Sequence, residues 1–461
     1  MNFSKTSNND NFAENQYNKM VNTPVSKLIT SLAIPTVISM LVTSIYNMAD
    51  TFFVSQISTQ ASAAVGVVFP IMSIIQAFGF TLGMGSGSLI SIRLGQKRNE
   101  EANVIVSTAF FTAIGIGFLI TILGIIFSTQ FLSLVGASNT ILPYAQDYAK
   151  YIFFGAPIMT ASFVLNNVLR SEGKAFFSMI GLTTGGILNI ILDPIFIYAL
   201  DLGISGAAIA TLCSQSISFL ILLTCFLKHK TVCHINIKLY SLKKEVLPKI
   251  VTTGFPSLSR QGLSSISSIL LNTAAGAYGD AAIAGMSITT KIIMFVASVM
   301  IGIGQGFSPV SGYNYGAKRY DRVKQAYKFT LCAGSILMGS VAVVIFIFAR
   351  QIMNGFINDS QAVEIGVAAL RWQVAFIPFH PLIIGTNMLM QSTRHIKSAT
   401  YLSMNRNGIY FIPAILILPR IIGLQGVEMA QFVADVLSAI TAVPFAISFF
   451  KKMSNYNSEQ N

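Results

Sequence analysis

The sequence predicts an all-α membrane protein with twelve transmembrane helices in two parallel six-helix lobes. The chain has 461 residues, of which 53% are hydrophobic and only 10% are charged, whereas soluble domains carry about 25% charged residues. Apolar stretches follow one another along the chain, each at least as long as the roughly 20 residues that cross a bilayer as a helix. An internal repeat then divides these stretches into two sets of six.

The apolar stretches predict twelve spans with short connections. The domain boundaries that follow are an N-terminal tail over 1–26, a first lobe over 27–227, a connector over 228–246, a second lobe over 247–450 and a tail over 451–461. Because segment 1–26 is polar and has no apolar core of a signal peptide, we expect it to be a disordered cytoplasmic tail. The predicted spans are 27–54, 62–90, 102–127, 141–168, 176–199, 204–227, 247–274, 281–310, 325–349, 364–389, 398–420 and 424–450.

The basic residues predict the orientation. With the N-terminus inside, 23 of the 30 Lys and Arg residues fall in inner segments, as expected for cytoplasmic loops. We therefore expect a multi-pass protein of the cell inner (plasma) membrane with both termini cytoplasmic. The net charge of +13 does not indicate nucleic-acid binding, because the basic residues are spread over many loops.

Matching prolines and glycines define the repeat. Pro35 matches Pro256 and Pro157 matches Pro378, each pair 221 residues apart. Two halves that enter the membrane in the same direction are expected to be related by an axis along the membrane normal. Pro35 and Pro256 are hinge candidates, with plain bends as the alternative. The glycine run Gly83-x-Gly85-x-Gly87, which recurs at 302–306, predicts close helix packing.

Four polar residues in the first half predict an ion site. Asp50 lies near the outer end of the first span, Asn189 and Asp193 share one face of the fifth at i,i+4 spacing, and Thr211 lies in the sixth. A carboxylate in hydrocarbon costs on the order of 3 kcal/mol, so two at similar depth need a reason. One reason would be that the two carboxylates bind H⁺ or Na⁺. The alternative is that they are structural hydrogen-bond partners near the interface.

The second half lacks these acids and carries bases instead. Asp50 corresponds to Leu271, Asn189 to Tyr410 and Asp193 to the 404–414 region, which has no carboxylate. We therefore expect the ion site in one lobe only. These bases either form an intramembrane charge network with an acid or extend their charged ends to the interface. The network candidates are Arg260, Lys291, Arg371 and Asp435. Arg406 is expected to extend to the interface.

Catalytic and metal sites are not indicated. Cys213, Cys225, Cys233 and Cys332 show no C-x-x-C pairing. A membrane prenyl- or glycosyltransferase would need clustered acids for Mg²⁺, but neither a D-D-x-x-D nor an H-E-x-x-H pattern occurs. We expect no enzyme activity, no metal and no cofactor beyond the coupling H⁺ or Na⁺.

Several motifs together resemble the multidrug and toxic compound extrusion (MATE) family, over nearly the whole chain, and its MepA-like bacterial exporters in particular. They are Tyr46-Asn-Met-Ala-Asp50, Arg93-Leu-Gly-Gln-Lys97, Leu169-Arg-Ser-Glu-Gly-Lys174, Leu188-Asn-Ile-Ile-Leu-Asp193-Pro194 and Gly203-Ile-Ser-Gly206 through Thr211.

This resemblance implies a V-shaped pair of lobes and export of lipophilic cationic compounds in exchange for a cation. It also implies that Asp50, Asn189, Asp193 and Thr211 hold the coupling ion, in a protein that acts as a monomer among membrane lipids. Some members carry further acids in the seventh and tenth helices. Arg260 and Arg371 lie in those spans here, which argues against a sodium site in the second lobe.

Two other kinds of transporter remain as alternatives. A major-facilitator protein also has parallel six-helix halves, but its loop after the second helix usually carries an Asp before the basic residues, and Arg93–Arg98 lacks one. A lipid or lipid-linked oligosaccharide flippase has a related plan and an anionic substrate. The flippase alternative is retained because three bases within the predicted spans, Arg260, Lys291 and Arg371, would suit an anionic substrate.

Overall fold

The computed structural model describes residues 3–228, 230–241 and 245–458, and these ranges are almost entirely helical. In the first half the α-helices are α1 Phe3–Asn22, α2 Val25–Ser55, α3 Thr59–Gly95, α4 Asn99–Ile126, α5 Ser128–Leu134, α6 Leu142–Ser171, α7 Ala175–Pro194 and α8 Gly203–Leu227. A π-helical turn, Ile195–Ala199, continues α7.

The second half repeats this order. Its α-helices are α9 Val246–Gly276, α10 Asp280–Gly316, α11 Tyr320–Ile347, α12 Ala349–Asn354, α13 Ser360–Phe376, α14 His380–Ser392, α15 Ile396–Met404, α16 Phe411–Ile422 and α17 Leu424–Ser458. A 3₁₀ turn, Ile377–Phe379, joins α13 to α14. A second π-helical turn, Asn405–Ile409, interrupts the path from α15 to α16.

These helices account for the twelve predicted crossings. Ten segments in the described ranges are long and apolar enough to span a bilayer, with α13 and α14 acting as one segment, Ser360–Ser392. The other two crossings are α9, which is long enough but rich in Ser and Thr, and the run from α15 through α16, which is interrupted around the π turn Asn405–Ile409. The prediction of an all-helical, twelve-helix membrane protein is confirmed. Most predicted ends lie within five residues of the observed ones, but α10 and α17 run six and eight residues beyond the predicted spans.

The helices group into two compact units whose boundaries differ from the predicted lobes. One unit comprises α1 and Ile34–Gly254, and the other comprises Thr23–Ala33 and the chain from Phe255 onwards. The first turns of α2 therefore belong to the second unit, and the first turns of α9 belong to the first. Each change of unit falls two residues before one of the hinge candidates, Pro35 and Pro256.

Glycines explain why the first turns of α2 pack in the second unit and the first turns of α9 pack in the first unit. A Cβ added at Gly85 of α3 would lie 2.9 Å from the backbone nitrogen of Gly254 in α9, and one at Gly306 of α10 would lie 2.6 Å from the backbone of Ala33 in α2. Both pairs of positions are 221 residues apart. The same helix crossing is therefore built twice, and in each case it depends on a position without a side chain.

The remaining glycines of the first run face α6. A Cβ at Gly83 would lie 2.7 Å from the Asn167 side chain, and one at Gly87 would lie 2.3 Å from the Ser171 hydroxyl. Helix α6 is the most enclosed of the ten apolar segments, with 83% of its apolar window buried against 28–44% for the others. The glycine run thus lets α3 pack closely on the central helix of the first unit, which confirms the packing interpretation.

The N-terminal segment is not the disordered tail that the sequence led us to expect. Helix α1 is polar and Asn-rich, but Met20 and Val21 at its end are buried. The Gln16 amide donates to the backbone oxygen of Glu172 at 2.6 Å, and Lys97 pairs with Glu14 at 3.0 Å. Contacts with the rest of the unit, rather than helix propensity, stabilise this segment.

The connector also packs on the first unit, through Glu172 in the loop between α6 and α7. The carboxylate is fully buried and accepts the backbone N–H groups of Val232 and Cys233, both at 2.8 Å. Burial raises the pKa of the Glu172 carboxyl, while the Lys174 ammonium and the two N–H donors oppose that rise. The Asn103 side chain accepts the next N–H, that of His234, at 2.8 Å. Described connector residues are thus held to the unit by successive backbone hydrogen bonds.

We predict that Gly254→Ala lowers the thermal midpoint of the purified protein. Its Cβ would lie 1.8 Å from the Thr81 carbonyl oxygen, so α9 would have to move away from α3. The matched control is Gly115→Ala in α4, where nothing lies within 4 Å of the added atom and helix propensity favours Ala by about 1 kcal/mol. Equal midpoints for the two variants, measured by size-exclusion chromatography after heating, would contradict the close crossing.

Candidate functional site

The structure brings the four predicted ion-site residues together in the first unit. Asn189 and Asp193 lie one turn apart at the end of α7, and Thr211 lies in α8. The Asn189 Nδ2 donates to Asp193 Oδ1 and to Thr211 Oγ1, both at 3.3 Å. Asp50, from the second part of α2, lies close enough to Asp193 for the two carboxylates to interact electrostatically.

The site is enclosed, and several of its oxygens have no donor. Asp193 is 0% exposed, Asn189 2% and Thr211 6%. Within the described residues, Asp50 Oδ1, Asp193 Oδ2 and Asn189 Oδ1 are buried without a hydrogen-bond partner. Buried polar atoms normally have partners, and an unpaired one calls for an explanation. Carboxylate, amide and hydroxyl oxygens that converge in this way are suited to bind a proton or a hard cation.

The end of α7 is shaped by Pro194. Proline lacks an N–H and clashes with the preceding turn, and the chain passes directly from Pro194 into the π turn Ile195–Ala199. Gly206 at the start of α8 lies against this turn, where a Cβ would come within 2.5 Å of the Phe196 carbonyl oxygen. This close approach brings Thr211 beside Asn189. π-Helical turns are frequent at functional sites.

Two tyrosines that we did not assign also belong to this site. Tyr148 of α6 is fully buried, and its hydroxyl has no hydrogen-bond partner among the described residues. It lies close enough to Asp50 and Asp193 to interact with both carboxylates electrostatically. Tyr46 lies one turn before Asp50 in α2. A tyrosine near the end of an apolar helix is common at membrane interfaces, so Tyr148 carried no distinctive signal. Tyr46 stood in the motif with Asp50 but was given no role.

The corresponding region of the second unit is apolar. Leu271, which matches Asp50, and Ala414, at the repeat spacing from Asp193, both lie in a buried hydrophobic cluster with Phe411 and Ala434. The unit therefore has a packed core where its counterpart has carboxylates. The prediction of an ion site in one lobe is consistent with this difference.

The second unit places its buried acid elsewhere. Asp435 of α17 is 1% exposed and accepts Arg406 Nε at 2.7 Å, Arg406 Nη2 at 3.4 Å and Gln431 Nε2 at 2.8 Å. The His380 Nε2 lies 2.9 Å from its other oxygen. Arg406 is held by this pair, with 22% of its side chain exposed, and does not simply extend towards the interface. Both oxygens of Asp435 are thus occupied by protein groups.

The other members of the predicted charge network do not join this cluster. Within the part of the chain that the structure describes, Arg260, Lys291 and Arg371 form no ion pair with Asp435. Arg371 lies over the Phe346 ring at 5.3 Å, and Lys291 is exposed on its helix. The structure therefore joins Asp435 to Arg406 and to His380, which was not among the predicted members of the network.

A family model for MatE matches residues 35–195 and 256–416. The chain belongs to the MatE family. The two matched segments have equal length and begin 221 residues apart, at the two hinge-candidate prolines, so the match itself follows the repeat. This confirms the resemblance seen in the sequence motifs.

Individual MatE relatives cover nearly the whole chain. The multidrug export protein MepA of Staphylococcus aureus (strain N315) is 27% identical over 421 residues, which are 91% of this chain and 93% of MepA. Among solved structures, MATE in complex with MaL6 aligns with a TM-score of 0.90 at 28% identity, covering 95% of this chain and 99% of that one. An outward-facing multidrug resistance MATE family transporter aligns with a TM-score of 0.90 at 27% identity, covering 95% and 98%.

We predict that Asp435→Ala destabilises the protein by about 3–5 kcal/mol, because it leaves the Arg406 cation unpaired in a mostly buried site. The matched control is Glu364→Ala, which breaks the exposed Arg350–Glu364 pair at 3.8 Å and should cost less than about 1 kcal/mol. The double variant Arg406→Leu with Asp435→Leu should recover part of the loss. Equal unfolding midpoints for Asp435→Ala and Glu364→Ala would contradict the assignment.

Proposed function

We propose that this MatE protein is a secondary active multidrug efflux transporter that exports lipophilic organic cations in exchange for H⁺ or Na⁺ by alternating access. The relatives support export of multiple drugs, since MepA is a multidrug export protein and an aligned structure is a multidrug resistance transporter. The exchange with a cation is supported by the first unit, whose buried carboxylates lack donors for some of their oxygens.

The observation that carries the proposal is the incomplete coordination of Asp193. This carboxylate is fully buried, receives one amide donor from Asn189 and keeps Oδ2 without a partner in the described residues. A second carboxylate, Asp50, lies nearby. Two like charges in a medium of low polarity repel, and uptake of a proton or a Na⁺ relieves that repulsion.

In this scheme Asp50 and Asp193 bind the coupling ion, while Asn189 and Thr211 orient Asp193 and supply further oxygens. Tyr148 provides a hydroxyl that can donate to an ionised carboxylate. Binding of the ion shifts the equilibrium between conformations towards release of the drug outside, since a ligand stabilises the state that binds it better. The hinge candidates Pro35 and Pro256, at the changes of unit within α2 and α9, are where we place the bending.

The protein is expected to act in the plasma membrane with both termini in the cytoplasm, as the distribution of Lys and Arg favours. We also propose that it acts as a monomer. Its substrates would be small lipophilic cations.

A flippase is the second candidate, and one observation favours it. Arg260, Lys291 and Arg371 lie within spans of the second unit and form no ion pair in the described ranges. Free intramembrane cations suit an anionic lipid headgroup better than a cationic drug. A MOP superfamily transporter from Pyrococcus furiosus aligns with a TM-score of 0.89 at 28% identity, covering 95% of this chain and 98% of that one. Its binding pocket has reverse polarity, which suggests a different function for that transporter.

We predict that Asp50→Asn and Asp193→Asn each abolish ethidium efflux from cells, with expression and membrane insertion unchanged, because neither amide can bind the ion as a carboxylate does. The matched control is Asp147→Asn, an exposed aspartate on α6 beside Tyr148, which should transport normally. If both site variants export ethidium at the rate of the unaltered protein, the coupling site lies elsewhere.

We further predict that ethidium uptake into inside-out proteoliposomes follows either an imposed proton gradient or an imposed sodium gradient, and that Asp193→Asn removes the response. Each gradient is imposed alone, so the coupling ion is identified directly. The same vesicles, loaded with a fluorescent phospholipid, test the second candidate. Lipid translocation that depends on Arg260 and Arg371, without gradient-driven ethidium transport, would favour the flippase.

A further inference from the structure

Helix α1 is docked on two loops of the first unit by side chains that the coupling site does not use. The Gln16 amide donates to the backbone oxygen of Glu172 at 2.6 Å, and the Glu14 carboxylate lies 3.0 Å from the Lys97 ammonium. The Tyr17 ring also covers the Lys97 ammonium, at 4.5 Å. The helix thus contacts the loop between α3 and α4 as well as the loop between α6 and α7.

The loop between α6 and α7 is shaped to receive α1. Gly173 has a positive φ of 79° and lies against the Met20 sulfur of α1, and a Cβ at this position would come within 2.9 Å of the Gln16 amide nitrogen. Met20 is fully buried. At the next position, the Lys174 ammonium lies 4.0 Å from the centre of the Phe12 ring. A side chain at 173 would displace α1, so the turn depends on glycine both for its backbone conformation and for this contact.

The contacts along most of α1 are individually weak. The side chains of Lys97 and Glu14 are 53% and 51% exposed, and ion pairs that water can reach contribute little to stability. Phe12 is 37% exposed, and contacts between an exposed ring and a cation are also modest. Burial is greatest in the last turn, at Met20 and Val21. A helix that is held in this way can leave its position and return to it.

The residue that follows α1 belongs to the other unit. Asn22 ends α1 in the first unit, and Thr23 begins the segment Thr23–Ala33 of the second. Within the second unit, the Thr23 carbonyl accepts Arg322 Nη2 at 2.5 Å, and Arg322 is only 9% exposed. Since consecutive Cα atoms are about 3.8 Å apart, the chain has no slack between the docked helix and this bonded carbonyl. A movement of Thr23 with its unit therefore displaces the end of α1.

We propose that α1 is a latch, which holds the beginning of α2 and has to leave its docked position in every transport cycle. The inference rests on the proposed function, in which the units move relative to one another and α2 bends at Pro35. A change in that bend carries Thr23–Ala33 with the second unit, while the contacts of α1 are with the first. Docking of the latch stabilises the conformation described above, and its release is one of the conformational steps that set the rate of transport.

The first test fixes α1 in its docked position. Tyr17→Cys and Lys97→Cys are combined with Cys332→Ser, which removes an exposed thiol, and are joined by a short bifunctional methanethiosulfonate that dithiothreitol removes. Because Tyr17 lies little more than one helical turn before Asn22, the link leaves the end of α1 little freedom. We expect the linked protein to lose ethidium uptake into inside-out proteoliposomes, and dithiothreitol to restore it.

The matched control links Arg98→Cys to Glu101→Cys, a neighbouring pair at the start of α4 whose native side chains lie 3.3 Å apart. This link joins residues of one segment and should leave uptake unchanged. Uptake by the protein linked between Tyr17 and Lys97 at the rate of its reduced form would overturn the latch. If the unaltered protein takes up no ethidium under either gradient, the proposed export function is what fails, and the second test still applies to the latch.

The second test measures the release of α1 without transport. Val21→Cys places a thiol at a position that is 3% exposed, so a maleimide reaches it only when the end of α1 moves away from its neighbours. We expect Lys97→Met, which removes the ion pair and the ring contact, to speed labelling several-fold, as for the loss of two weak interactions. Labelling is read at that residue by peptide mass spectrometry of the purified protein.

The matched control for labelling is Lys19→Cys, an exposed position on the same helix, which should react equally fast with and without Lys97→Met. Equally slow labelling of Val21→Cys in both backgrounds would show that the contacts of Lys97 do not hold α1 and would overturn the latch. Rapid labelling of Val21→Cys in the background that retains Lys97 would overturn it as well, because α1 would then not be docked.

Discussion

A carboxylate buried between membrane-spanning helices has to find donors, a proton or a cation inside the protein, because the surrounding hydrocarbon supplies none. The two units meet this constraint in opposite ways. Asp435 is bonded on both oxygens, by Arg406 and Gln431 on one side and with His380 on the other. Asp193 has one amide donor and one bare oxygen. The hydrogen bonding of Asp435 is complete without a ligand, whereas that of Asp193 would be completed by one. This difference is the physical basis for placing ion coupling in the first unit.

The repeat preserves backbone geometry more faithfully than side-chain chemistry. Gly85 and Gly306 receive the beginnings of α9 and α2 at equivalent crossings, and a Cβ at either position would collide with backbone. A substitution there would disrupt helix packing in its unit, so the positions tolerate little change. Asp50 and Leu271 also correspond to one another, but either a carboxylate in a polar site or a leucine in a packed core satisfies the local requirement. Helix positions can thus stay duplicated while the chemistry that they carry diverges.

This distinction also explains what could be predicted from the sequence. Span lengths, orientation and the 221-residue repeat depend on hydropathy, basic loops and prolines, all of which are local properties. The grouping of Asp50, Asn189, Asp193 and Thr211 was accessible because two of them share a helix face and all lie at one depth. The pairing of Asp435 with Arg406 and His380 joins three helical segments through a π turn, and no spacing in the sequence encodes it. Helix α1 was missed because its own composition does not favour order; contacts to Glu172 and Lys97 stabilise it.

The divergence of the two units bears on how one transporter can handle chemically different compounds. An ion site needs oxygens without partners, and such a site also attracts any organic cation that reaches it, so cation and ion compete for the same charge. A guanidinium already neutralised by Asp435 avoids that competition. It offers directional N–H groups without a large net charge, and so it can accept a carboxylate or a carbonyl without repelling a cationic group on the same molecule. Placing bare carboxylates in one unit and a compensated arginine in the other therefore keeps the two kinds of charge recognition in separate halves of a duplicated fold.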